Sequence, residues 1–362
     1  MRGSEKNGLA LLSKYRGALM GVAALWVLMT HEWQLISPKD SAFHVTEYFI
    51  KRIGFCGVDI FFLLSGMGMV FALEKSSLPE FYYRRLRRIL LPFLIVAVVM
   101  AVVDRWDSGW FFRCISGVAF YTVNIYSILW FVPAIVTFYL FVPLYFALFR
   151  RSRNQILFTV GAIALWLFLS MVLRGAIRED LYGFTNRIPV FLTGILCGWQ
   201  KKHSSPVIGG KTYICFVVVL VLGVYLAWQT NMCGMEILVP VSNCCFPNLA
   251  ISVSLSFLLA KGMDCMAGWR GSRWLANVLI RVLSFYGMMS FEFYCVQEWI
   301  AGKILQGLVM RFGNAGADFF LLVVVTVSGC ALFFLNKTVL YCLDCIGGKR
   351  KKMADGAGEE TT

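Results

Sequence analysis

Long apolar runs separated by short polar segments dominate the chain. A window about 19 residues wide, matched to the roughly 20 apolar residues that span a bilayer, finds them at 17–36, 55–73, 128–149, 155–173, 212–229, 282–301 and 317–340. Shorter or more broken runs lie at 89–103, 187–200 and 244–260. The runs are continuously apolar rather than alternating, and in lipid only helices or closed barrels satisfy every backbone N–H and C=O. The pattern predicts an all-α, polytopic transmembrane bundle of about ten helices. The first run follows Lys14 and Arg16, as a signal peptide would. It is long and bulky, however, and has no small-residue cleavage site before His31 and Glu32, so it is read as a retained helix.

Composition agrees: 59% of the 362 residues are hydrophobic and 15% charged, more apolar surface than a soluble core of this length needs. A net charge of +14 could point to nucleic acid, and its placement argues otherwise. With the N-terminus inside, the inner segments carry 23 Lys and Arg and the outer segments 10. That bias fits both termini in the cytoplasm. The charge therefore reports topology, and no nucleic-acid partner is expected.

Residues 1–346 read as one membrane domain. Residues 347–362, which include KRKKMADGAGEETT, read as a basic, disordered cytoplasmic tail. Segment 104–127 carries Trp106, Trp110, Phe111 and Phe112, which suits a segment lying in the outer interface. Of the 12 cysteines, Cys197, Cys215, Cys295 and Cys330 fall within apolar runs, where cysteine behaves as a small hydrophobe. Cys233, Cys244 and Cys245 lie near the outer side and can pair. Cys342 and Cys345 form a lone CxxC without a second pair, so no metal site is expected.

Ionisable groups inside spans are costly and mark functional candidates. His31 lies about five residues from the outer end of the first run, and GFCGVDIFFLLSG places Asp59 at nearly the same depth on the second. A carboxylate facing an imidazole fixes its tautomer and supports the imidazolium formed on taking a proton. Trp130, Arg187, Gln297 and Glu298 also fall in the outer half, and Glu292 sits nearer the middle. A histidine near a helix end also occurs as an ordinary interfacial residue; convergence at one depth favours the catalytic reading.

A second cluster, FYYRRLRRILLP at 81–92, lies on the cytoplasmic side. Arg84, Arg85 and Arg88 share a helical face that can hold phosphates by bidentate contacts. The plain alternative is a basic anchor against lipid headgroups, and Arg87 fits it.

At these residues the chain resembles the acyltransferase 3 family, whose members carry acyl groups from cytoplasmic acyl-CoA to cell-surface glycans or other hydroxyl acceptors. RGALMGVAALWVLMTH, GVDIFFLLSG, FYYRRLRRILLP, WFVPAIVTFYLFVPL, RIPVFLTGILCG and SFEFYCVQEW stand in the family's order. The family's basic residue, separated by ten residues from the first-helix histidine, is replaced here by Met20. The nearest basic residue, Arg16, lies four residues earlier, about 6 Å deeper on the cytoplasmic side. Leu91 replaces a proline, and Gln297 stands where many members have histidine.

The resemblance implies that His31 is the central catalytic residue with Asp59 and Glu292 in the site, and that Arg84, Arg85 and Arg88, with Arg16, hold acyl-CoA. It also implies that Trp130, Arg187, Ser65 and Gln297 meet substrate. Ser65 precedes Gly66, and Ser-Gly in a membrane helix also serves close packing. The donor acyl group is acetyl by family habit, with succinyl the alternative; the acceptor is a surface polysaccharide and the location a bacterial cytoplasmic membrane. From Arg16 to His31 is about 22 Å along a helix, so an extended pantetheine arm would have to bridge the two sites. His31 would act as general base or as a transiently acylated relay. The rival from another class is a proton-coupled secondary transporter using His31, Asp59 and Glu292 as a relay. It lacks paired broken helices and leaves the arginine cluster without a task.

Overall fold

The computed structural model describes residues 8–173, 175–204, 206–237 and 245–359. Cys244 lies outside the described residues, so the pairing considered for it does too. Among the described residues no strand occurs, and fifteen α-helices form. In order they are α1 (Gly8–Lys14), α2 (Arg16–Glu32), α3 (Ala42–Arg52), α4 (Cys56–Lys75), α5 (Leu78–Val103), α6 (Ser108–Ile115), α7 (Val118–Thr122) and α8 (Phe131–Arg151). There follow α9 (Gln155–Val172), α10 (Tyr182–Thr185), α11 (Ile188–His203), α12 (Gly210–Met232), α13 (Cys245–Gly268), α14 (Arg273–Met288) and α15 (Ser290–Glu359), the last extending into the 347–362 tail.

Among the described residues, seven helical stretches are long and apolar enough to cross a membrane, or eight if α1 and α2, bent by 68°, form one span. The expected ten differ from this for local reasons. The 187–200 run becomes α11, only 16 residues long, and the 282–301 run is cut at Met289 into the end of α14 and the start of α15. An apolar window averages across that break because both sides are apolar. Within α15 the chain turns at Gly313, whose φ of 67° belongs to the left-handed region that only glycine enters freely. Beyond the turn Asn336 bonds Glu292 at 3.0 Å and Gly329 packs on Phe293, so the two arms run back along each other.

Helix ends follow local chemistry. Ser41 accepts from the His44 N–H to cap α3, and Asn154 accepts from the Ile156 and Leu157 N–H groups to cap α9. Gly117, at φ 77°, joins α6 to α7 within the aromatic 104–127 segment. Trp106, Trp110 and Phe111 pack against the core and Phe112 stays exposed.

Lipid offers no hydrophobic drive between helices, so small residues set which helices meet. Gly66 on α4 faces the Phe191 carbonyl, while Gly194 and Gly198 on α11 face the carbonyls of Leu63 and Met67. Gly17 and Gly21 of α2 cross Gly287 and Leu283 of α14 in the same way. A Cβ at position 194 would lie 2.2 Å from the Leu63 oxygen. Gly194→Ala must therefore push α4 and α11 apart, because backbone cannot rotate away. Thermal unfolding in detergent should show a loss of about 1–3 kcal/mol, and an unchanged transition would contradict the close crossing. Phe62 packs 5.1 Å from Phe131 and 5.0 Å from Phe138, whose ring lies tilted 4.5 Å from Phe191.

Candidate active site

Two cavities lie back to back inside the bundle. The first, about 410 Å³, is lined at one end by Arg16, Arg85 and Arg88 and at the other by Val27, Val58 and Phe131. Gly68 makes its polar end possible: a Cβ there would stand 3.1 Å from Arg16 Nη1. Arg85 donates to the Gly68 carbonyl at 3.4 Å and lies 6.0 Å over the Tyr139 ring. Among the described residues, Arg16, Arg85 and Arg88 form no ion pair with a carboxylate. Three like charges facing one space with no acidic partner give that end of the cavity a field that favours an anion.

The expected Arg84 does not join them. It turns outward to Glu80 at 2.6 Å, one helical turn away, because residues 84 and 85 of a helix point about 100° apart. Arg87 also leaves the cavity and bonds Asp344 at 2.6 Å. Arg16, one turn from the register the resemblance suggested, does reach it. Ser65 and Gln297 line the same cavity. Gln297 is buried, and its Oε1 has no hydrogen-bond partner among the described residues.

The second cavity, about 910 Å³, holds His31, Trp130 and Arg187 in its wall. Lys51 and Arg52 of α3 join them, as does Asn186. Asn186 Oδ1 and the Tyr182 hydroxyl are buried without hydrogen-bond partners among the described residues, while Arg187 Nε faces Asp59 Oδ1 at 3.5 Å as an ion pair. Unpaired buried polar groups are expensive, and beside Phe55, Trp130 and Tyr182 they suit a ligand that is flat-faced and hydroxyl-rich.

Two carboxylates sit differently from the expectation. Asp59 does not face His31: it accepts from Asn248 at 3.1 Å and lies 3.5 Å from Arg187 Nε. Val58 faces the cavities, and the next residue on a helix is turned by about 100°, which sends Asp59 toward α13 and Arg187. It positions the arginine. Glu292 is bonded to Asn336 at 3.0 Å and lines neither cavity. A carboxylate shut inside that pair is placed to tie the two arms of α15 together, not to touch substrate.

The segment that carries Tyr182, Asn186 and Arg187 is fastened by a clip. Arg178 bonds Asp180 at 2.5 Å and donates to the Tyr121 and Phe120 carbonyls, while Asp180 accepts from the Ile125 N–H at 2.9 Å. The Arg178 guanidinium, with help from that N–H, holds the Asp180 carboxyl below its ordinary value of 3.8. The clip's contribution to stability is therefore full above the unfolded value and is lost as pH falls through the lowered folded one. Asp180→Ala should raise the acceptor KM several-fold at neutral pH and remove an acid-induced loosening of this loop that hydrogen exchange detects in the parent below about pH 4. An identical exchange profile in both would contradict it.

Sequence reasoning missed Tyr139, Lys51, Arg52, Asn186 and Val58. Tyr139 and Asn186 were legible as polar groups in or beside apolar runs; nothing in the sequence singled out Val58.

Apolar helices long enough to span a bilayer, surrounding two internal polar cavities, define a multi-pass membrane protein with a site inside the bundle. The model of the acyltransferase 3 family, described as an acyltransferase domain, matches residues 18–335, so the chain belongs to that family and is a membrane acyltransferase. Arg16 lies just outside the matched segment. No curated protein gives a significant match, and no solved structure does.

Proposed function

We propose that this acyltransferase moves a short acyl group, acetyl, from cytoplasmic acyl-CoA to a hydroxyl of a surface glycan or a related acceptor. The observation that carries the proposal is the pair of cavities. One presents three arginines without carboxylate partners, the other presents His31, and Val58 lines both.

In this reading Arg16, Arg85 and Arg88 hold the donor's phosphates at the cytoplasmic face, and the thioester reaches the apolar end beside Val58. The acceptor lies in the outer cavity, its sugar face on Trp130 and its hydroxyls on Asn186 and Arg187. His31 takes the proton of the attacking hydroxyl. The acceptor oxygen bonds to the thioester carbon, the carbon–sulfur bond breaks, and the proton passes from His31 to the departing thiolate. A relay in which His31 is itself acylated first uses the same two cavities. The 23-to-10 excess of basic residues supports placing both termini in the cytoplasm, and the family resemblance is the support for a bacterial cytoplasmic membrane as the setting.

The test is to incubate membranes containing the protein with radiolabelled acetyl-CoA and a polysaccharide acceptor. Alkali-labile label in the polysaccharide is the expected result. Proton-driven solute accumulation with no transferred label would replace the enzyme with the transporter.

A further inference from the structure

Among the residues lining the two cavities, Val58 alone lines both. The change from outer to inner wall happens at one level on three helices. On α2, Thr30 and His31 face the outer cavity and Val27 the inner one. At the start of α4, the N-cap Phe55 is outer, Val58 is shared and Phe61 is inner. At the start of α8 the switch falls between adjacent residues, with the N-cap Trp130 outer and Phe131 inner. Val27 and Val58 are buried, at 3% and 4% exposure.

The partition is also held in place. Phe131 is the first residue of α8, so its N–H has no partner within the helix, and it donates to the Tyr294 hydroxyl at 3.1 Å. The Phe131 ring lies 6.4 Å from Phe61 and 5.1 Å from Phe62. Aromatic rings fixed on one side leave the small, branched Val58 as the thinnest part of the wall. On the inner side at this level Ala24, Val27, Phe61, Phe131 and Ile135 are apolar, and Tyr294 and Gln297 bring a hydroxyl and an amide to the same cavity.

We infer that Val58 is the partition between donor and acceptor and the residue that limits the length of the acyl group transferred. This rests on the acyl-transfer reading above. The thioester carbonyl must come level with Val58 to meet a nucleophile from the outer cavity, so the acyl chain must fit against its methyl groups. A β-branched side chain has one strongly preferred rotamer in a helix and does not swing aside. An acetyl group fits with its single methyl; each added methylene meets the partition. Discrimination of one methylene in an apolar pocket is about 10–200-fold.

The experiment compares full-length parent, Val58→Ala and Val58→Ile in membranes, each given acetyl-, propionyl- and butyryl-CoA with the same acceptor. Val58→Ala should raise the ratio of butyryl to acetyl transfer by about tenfold or more, and Val58→Ile should lower the ratio of propionyl to acetyl transfer. If Val58→Ala fails to insert, the direction of change in Val58→Ile decides alone. A parent that transfers acetyl with ratios unchanged in the variants overturns the role of Val58. A parent that transfers no acyl group at all overturns the underlying reading instead.

Discussion

Membranes carrying His31→Ala are expected to lose acyl transfer by about 10²–10⁴-fold, the range for removing a positioned general base. The ring lines the outer cavity and has no hydrogen-bond partner among the described residues, so its loss strands no buried donor or acceptor. The variant should therefore insert and elute from detergent columns like the parent. Activity within about tenfold of the parent would remove His31 from the chemistry, and with it the assignment of the outer cavity. Asp59→Asn tests the corrected role of that carboxylate. Acting through Arg187, it should raise the acceptor KM and leave the pH profile of kcat unchanged; a shifted profile would mean that Asp59 does act on His31.

The second large effect is expected at Arg88. Its replacement by alanine should raise the apparent KM for acetyl-CoA by about 10–100-fold, equivalent to the roughly 1.5–3 kcal/mol of a charge-assisted contact, with kcat at saturating donor little changed. Arg84→Ala provides the contrast, because that side chain is exposed and paired with Glu80. A pair of that kind is worth about 0.3–0.5 kcal/mol, so donor affinity should shift by no more than about twofold. The two arginines lie within one sequence cluster and differ only in which way they face. Equal effects at both positions would mean that the cluster acts as a general basic patch, with no defined anion site.

That contrast also shows where sequence reading stopped. The depth of a residue follows from counting along an apolar run, and counting gathered His31, Trp130 and Arg187 in the outer half, where they share one cavity, and set Arg85 and Arg88 on the cytoplasmic side, where they line the other; Gln297, counted to the outer half, lines the arginine cavity instead. The face a residue presents depends on which helix packs against which. Asp59 was correct in depth and wrong in azimuth, and so was Arg84. Glu292 was drawn away by Asn336, more than forty residues later, through a turn at Gly313 that no apolar window detects.

The sequence by itself determined the all-helical membrane character and the candidate charges. Apolar length, the cost of a polar group in lipid and the sign of the loops are local properties that each segment carries alone. Only the tertiary structure decided that Arg16 rather than Arg84 completes the arginine cluster, that Asp59 lies beside Arg187, and that Val58 lines both cavities. Those facts follow from close glycine crossings of α4 with α11 and α2 with α14, where rotation of a helix about its axis is fixed by backbone contact. A chain read one segment at a time contains no record of that rotation.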